Sequence, residues 1–118
     1  MSARRVERLG QEIREEVAGI LTRLKDPRIG FVTVTRVNLT PDLRNAQVYV
    51  GVLGDEAQRR KTLVGLEQSA GFVRRELGRR LSVRHTPELT FRYDSGLEAT
   101  NRVAQLLDEI DAQRDDED

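Results

Sequence analysis

Arginine is the side chain whose number and placement most strongly indicate a chemical role in this chain. Of the 20 cationic side chains, 18 are arginines and two are lysines, Lys25 and Lys61. A planar guanidinium can bind a phosphate through two parallel hydrogen bonds, and each phosphate that it neutralises releases counterions. The eight arginines that we predict to bind nucleic-acid phosphates are Arg4, Arg5, Arg8, Arg74, Arg75, Arg79, Arg80 and Arg84.

The charges are divided unevenly along the chain, although the net charge is zero. Residues 1–93 carry 18 Lys and Arg against 11 Asp and Glu, a net of +7, and residues 94–118 carry two against nine, a net of −7. A basic body with an acidic end favours a polyanionic partner for the body. The alternative is a soluble domain whose arginines only solvate its helices and whose acidic end is disordered.

Other chemistry finds little support in the residue types. The chain has no cysteine and one histidine, His85, which stands in an arginine-rich turn where we expect a surface or RNA-facing role. Glu12, Glu15 and Glu16 fall on the polar side of a helix, so a solvated face is favoured over a metal site. No phosphate loop or nucleophile elbow is present. We therefore predict no catalytic residue, no metal and no cofactor. A stretch over residues 51–54 has a Gly-x-x-Gly pattern, which we interpret as a strand end rather than a phosphate clamp.

The hydrophobic pattern predicts the elements that must position the arginines. Apolar residues at helical spacing predict a first helix over residues 5–24, ended by Pro27. β-Branched residues predict a strand over residues 31–39, and alternation predicts a second over residues 46–52. A helical stripe follows from residue 56 to 81, with Asp55 as its N-cap. Alternating Leu89, Phe91 and Tyr93 predict a third strand, and residues 95–110 a last helix. Residues 111–118 are polar and acidic, which is typical of disorder.

Two further expectations concern the middle helix and the aromatic residues. A single helix of some 26 residues is long for this chain, and Gly71 near its middle is the best place for a break. The five aromatic side chains stand mostly at core-like positions, so we predict recognition of backbone and shape rather than a base-stacking platform.

Several short stretches together resemble the ribosome-binding factor A family, over about residues 4–107. The order and spacing of these stretches are specific, although each is weak alone. They are Arg5-Val6 with Glu12-Ile13, Asp26-Pro27-Arg28-Ile29-Gly30 running into Val32-Thr33-Val34-Thr35, Asp42-Leu43, Ala46-Gln47-Val48-Tyr49-Val50, Ser69-Ala70-Gly71, and Pro87-Glu88-Leu89-Thr90-Phe91 with Asp94.

The resemblance implies an α+β fold of the type II KH-like kind, in the order helix, strand, strand, helix, kink, helix, strand. It places the kink at Ser69, Ala70 and Gly71, with serine standing where the family has alanine. It implies a KH-like RNA-binding domain over residues 4–94, followed by the helix over 95–110 and the tail over 111–118. Members of the family bind the 30S ribosomal subunit and its 16S rRNA, assist late maturation and 5′-end processing, are often linked to growth in the cold, and catalyse no reaction. The resemblance implies the same role here. The composition, with no cysteine and no long apolar run, favours a cytoplasmic protein, and we expect a monomer. The alternative is a KH-like protein-interaction module without RNA binding.

Overall fold

The computed structural model describes residues 3–95, so the predicted helix and acidic tail beyond them lie outside the described residues. The elements, in chain order, are helix α1 (Ala3–Leu21), strand β1 (Val32–Leu39), strand β2 (Asn45–Val52), helix α2 (Glu56–Arg80) and strand β3 (Glu88–Tyr93). The strands form one sheet in the order β1-β2-β3, in which β2 is antiparallel to β1 and parallel to β3. The predicted α+β class is confirmed.

A single apolar core lies between the two helices and one face of the sheet. The first helix contributes the predicted stripe that includes Ile13 and Val17, and β2 contributes Val48 and Val50, all four fully buried. Antiparallel and mixed sheets of this kind can leave their second face in water. On that face the side chains are polar, and none of the helices described for residues 3–95 packs against it.

The middle helix differs from its prediction. α2 is one α-helix of 25 residues that continues through Ser69, Ala70 and Gly71, so the expected division into two helices there is wrong. A helical glycine costs about 1 kcal/mol relative to alanine. Leu66 before the glycine and Val73 after it are both fully buried in the same core, and this packing holds the helix together across Gly71. A change of axis direction without a break in the helix stays a prediction. The N-cap prediction is confirmed, since the Asp55 carboxylate accepts a hydrogen bond from the Gln58 amide at 2.8 Å.

The loop over residues 26–30, the 26–30 loop, docks on α2. Within it, Arg28 donates to both carboxylate oxygens of Asp26, at 3.0 and 2.6 Å. The hydroxyl of the fully buried Thr62 accepts a hydrogen bond from the Gly30 amide at 3.1 Å. One turn later Gly65 lets the Ile29 side chain approach, because a Cβ there would lie 2.8 Å from Ile29 Cγ1. The Asp26-Pro27-Arg28-Ile29-Gly30 stretch of the family resemblance therefore serves to pack this loop on α2.

Candidate nucleic-acid interface

One face of α2 has no packing role and carries a mixture of cationic and apolar side chains. We call this the outer face of α2, and its members recur every three or four residues: Lys61, Val64, Gln68, Phe72, Arg75 and Arg79, all exposed. Gln68 stands at its edge, where its side chain accepts a hydrogen bond from Arg28 of the 26–30 loop at 2.6 Å. Arg75 forms no ion pair within residues 3–95. Arg79 lies 3.4 Å from Glu76, but its side chain is 77% exposed, so water screens that pair. Two of the predicted arginines are thus exposed on one face of a continuous helix.

Two other predicted arginines on α2 are engaged within the protein. The Arg74 guanidinium donates two hydrogen bonds to the Thr86 carbonyl, at 3.1 and 2.9 Å, and lies 4.0 Å from Glu88. Arg80 lies 3.5 Å from Glu16 of α1. Arg74 therefore ties the connection after α2 back onto the helix, and Arg80 links the two helices. Both side chains remain partly exposed, at 45% and 33%.

The remaining predicted arginines lie toward one end of the molecule. α1 runs antiparallel to β1, because its first turns line a cavity with Val37–Leu39 and its last turns line another with Val32. The start of α1 therefore lies toward the end of the sheet where α2 finishes. Arg4, Arg5 and Arg8 are exposed on the first turns of α1, and Arg84 is exposed in the connection after α2. The fold thus brings the two predicted arginine groups to the same end of the domain.

A groove of about 580 Å³ at this end contains His85 together with several arginines and acids. It is lined by Asp42, Leu43, Arg44, Asn45, Arg74, Val83, Arg84, His85, Thr86 and Glu88. A hydrogen bond from the Thr40 hydroxyl, with a second from the Arg44 amide, lowers the pKa of Asp42, so this carboxylate stays charged beside the arginines. The acids Asp42 and Glu88 offset most of the positive charge here. The outer face of α2 is therefore the better candidate for phosphate contacts. Within residues 3–95, no group of three or more histidine or acidic side chains is placed to hold a metal ion.

The aromatic residues depart from their prediction. Phe31 and Phe72 are 73% and 45% exposed, so neither is a core residue. Tyr49 is half-buried on the polar face of the sheet, where the Arg36 guanidinium carbon lies 3.8 Å from its ring centroid. The apolar pattern of β1 also carries a sign that Arg36 lies on this polar face beside Tyr49, which the prediction above did not use. Apolar residues of β1 occupy Val32 and Val34 and then shift by one position to Val37 and Leu39.

Within residues 3–95, no helix is long and apolar enough to cross a membrane.

The family model for ribosome-binding factor A matches residues 5–107. A ribosome-binding factor A from Halothermothrix orenii is 45% identical over 111 residues, which are 93% of this chain and 91% of the relative.

Solved structures agree with these sequence similarities. The solution structure of a Thermotoga maritima protein described as a putative ribosome binding factor A superposes with a TM-score of 0.72 at 37% identity, covering 83% of this chain and 94% of that one. A homology model of the Thermus thermophilus ribosome binding factor A, fitted into a cryo-electron microscopy map of a 30S complex with that factor, gives a TM-score of 0.66 at 26% identity, covering 77% of this chain and 97% of that one. These neighbours confirm the KH-like fold, and the chain belongs to the ribosome-binding factor A family.

Proposed function

We propose that this protein binds the 30S ribosomal subunit through its 16S rRNA during late maturation, including processing of the 5′ end. It acts as a monomeric binding factor in the cytoplasm and not as a catalyst. The observation that carries the proposal is the outer face of α2, which presents Arg75 and Arg79, both exposed, on one continuous helix. Membership of the family supports the choice of partner, since the related Thermus thermophilus protein was fitted into a map of a 30S complex.

The two arginines fit phosphate contacts because neither is required by the fold. Arg75 and Arg79 are four residues apart, so their side chains stand one above the other on the same face. Guanidinium groups in such a row can each neutralise one phosphate of a backbone that follows the helix. Arg4, Arg5, Arg8 and Arg84 would extend the contact toward the end of the sheet, with Arg74 and Arg80 at its margin.

Sedimentation of the protein with purified 30S subunits tests the proposal. The double variant Arg75→Glu with Arg79→Glu should keep the thermal unfolding of the parent and sediment less with the subunits. With single-stranded RNA, losing two phosphate contacts should flatten the plot of log affinity against log salt by about 1.4, at roughly 0.7 per contact.

A matched control separates local contact from net charge. Arg23 and Lys25 are also exposed, in the connection after α1, and reversing both with Arg23→Glu and Lys25→Glu changes the net charge by the same amount. The control pair should bind close to the parent level. Equal losses for the two pairs would mean that net charge acts, and not the outer face of α2. An unchanged salt slope and affinity in the Arg75 and Arg79 variant would remove these residues from the site.

A second candidate function is a protein-interaction module. The observation in its favour is that Val64 and Phe72 on the same outer face are 47% and 45% exposed. An apolar partner surface would need these side chains, whereas phosphates would not. Phe72→Ser should then abolish association with 30S particles at all salt concentrations, while the arginine variant should matter little.

A further inference from the structure

The polar face of the sheet carries an arginine that an irregularity in β1 turns toward solvent. Val34 pairs with Val50, but the next pair along the strands is Arg36 with Tyr49, so Thr35 is an extra, bulged residue. Without the bulge, Arg36 would face the core side opposite Val48, because a shift of one residue moves a side chain to the other face. Bulges recur next to functional sites, where they re-aim a side chain.

Two contacts on this face hold the Arg36 side chain in place. Its guanidinium carbon lies 3.8 Å from the centroid of the Tyr49 ring, and its Nε lies 3.6 Å from the carboxylate of Asp94. The bulged Thr35 donates a hydrogen bond to the same carboxylate at 2.7 Å. The Asp94 side chain is 1% exposed, whereas that of Arg36 is 43% exposed. A buried acid and an aromatic ring therefore orient a guanidinium whose other side meets solvent.

A second arginine completes a row across the three strands. Tyr49 pairs with Arg36 on one side and with Arg92 on the other. Arg92 is exposed and has no ion pair within residues 3–95. Since neighbouring strands lie about 4.8 Å apart, the backbones of the two arginines are separated by about 10 Å. We call Arg36, Tyr49 and Arg92 the sheet row.

The side chains around the sheet row are polar. The next row consists of Asn38, Gln47 and Thr90, and the Tyr49 hydroxyl donates to the Gln47 amide oxygen at 2.8 Å. Protein interfaces have an apolar centre, which this face lacks. Single-stranded RNA suits it, because unstacked bases stack on guanidinium planes and aromatic rings and bind amide groups through their edges.

We propose that the sheet row is a second RNA-contact surface, on which an unpaired base stacks on the Arg36 guanidinium and Arg92 binds a neighbouring phosphate. The base, Arg36 and Tyr49 then form three stacked layers. This surface lies on the opposite side of the sheet from α2, so the domain would contact RNA on two faces. The proposal extends the RNA binding proposed above but does not depend on the outer face of α2.

The fluorescence of Tyr49 offers a local signal. The chain has no tryptophan and two tyrosines, so Tyr93→Phe leaves Tyr49 as the only emitter. Titration of this full-length variant with single-stranded oligouridine of about ten nucleotides, within the range of known single-stranded sites, should change the Tyr49 emission. Adding Arg36→Lys keeps the charge beside Asp94 and removes the planar group. Affinity should then fall at least about fivefold, the lower limit for loss of one stacked base.

Three further variants test how specific the result is. Arg23→Lys makes the same chemical change at an exposed arginine elsewhere and should leave the affinity unchanged. Arg92→Gln should lower the salt slope by about 0.7, for one phosphate contact. Arg75→Glu with Arg79→Glu should leave the change in Tyr49 emission in place, even if it abolishes association with 30S particles. This last comparison distinguishes failure of the sheet row from failure of the proposed function.

Two results would overturn the proposal. One is a Tyr49 emission that does not respond to the oligonucleotide. The other is an Arg36→Lys variant whose affinity for oligouridine is within twofold of that of the parent, and from which polyglutamate displaces the RNA as readily as from the parent. The face would then attract polyanions by charge alone.

Discussion

The two sides of α2 use polar residues in opposite ways. On one side, polar groups of the 26–30 loop and of the helix form hydrogen bonds within the protein. Arg28 donates to Asp26 and also to the Gln68 side chain at 2.6 Å, and the Thr62 hydroxyl accepts from the Gly30 amide. On the outer face, Arg75 has no ion pair within residues 3–95. Polar groups that are bound within the protein specify the fold, and those left in water are available to a partner. Changes on the loop side should therefore alter stability, and changes on the outer face should alter binding.

The largest expected effect on stability comes from removing the buried hydroxyl under the loop. Thr62→Val keeps the shape of the side chain but leaves the Gly30 amide without its acceptor. The same hydroxyl also accepts a hydrogen bond from Gln58 Nε2 at 3.1 Å, and each hydrogen bond contributes about 0.5–1.5 kcal/mol, so the loss of both should lower the free energy of unfolding by about 1–3 kcal/mol in urea denaturation. Thr33→Val, at an exposed position of β1, is the control and should change it by no more than about 0.5 kcal/mol. A Thr62 variant as stable as this control would mean that the loop does not depend on the hydroxyl.

Two glycines of α2 allow the same comparison within one helix. A Cβ at Gly65 would lie 2.8 Å from Ile29, whereas a Cβ at Gly71 would meet only Arg75 Nη1, at 3.6 Å, which is ordinary contact. Gly71→Ala should therefore stabilise the protein by about 1 kcal/mol through helix propensity alone. Gly65→Ala gains the same propensity but crowds the loop, so it should be less stable than Gly71→Ala by about 1–3 kcal/mol. Thermal unfolding of both variants measures the difference. Equal stabilities would mean that the loop can move aside, and a loss in Gly71→Ala would indicate a bend that requires glycine.

Periodic features of the sequence were sufficient to predict the elements. The apolar stripe of α1, the alternation in β2 and the cap at Asp55 each depend on neighbours within a few residues, and the structure has all three. The break at Gly71 was wrong because a local cost of about 1 kcal/mol was weighed without the core contacts of Leu66 and Val73, which come from other elements.

The candidate site could be predicted only in part for the same reason. The sequence indicated arginines on α2, but it could not show that Arg74 would bond to the Thr86 carbonyl, twelve residues away. It also could not show that Phe72 would be exposed, since a long helix on a small sheet has more surface than the core can cover. The sheet row depends on pairing between strands, and only the shift of apolar positions around Thr35 gives a local sign of it.

The smallest expected effect is a pH dependence confined to the loop side of α2. The hydrogen bonds from the side chain and then the amide of Arg28 lower the pKa of Asp26 from 3.8 to about 2. A carboxylate whose pKa is lower in the folded than in the unfolded protein stabilises the fold above the unfolded value, and this contribution is lost as the pH falls through the folded value. The stability difference between the parent and Asp26→Asn should thus be constant near neutral pH and should shrink as the pH falls from 3.8 toward 2. Urea denaturation at a series of pH values measures it. The same comparison in an Arg28→Ala background should show a smaller pH dependence, because the guanidinium donor is gone while the backbone amide of residue 28 still donates to Asp26 at 2.9 Å. An undiminished dependence there would mean that the guanidinium of Arg28 does not lower the pKa of Asp26. By contrast, Arg75→Gln with Arg79→Gln should change the free energy of unfolding by no more than about 0.5 kcal/mol, since both side chains are exposed and the one ion pair that they form within residues 3–95, Arg79 with Glu76, is screened by water.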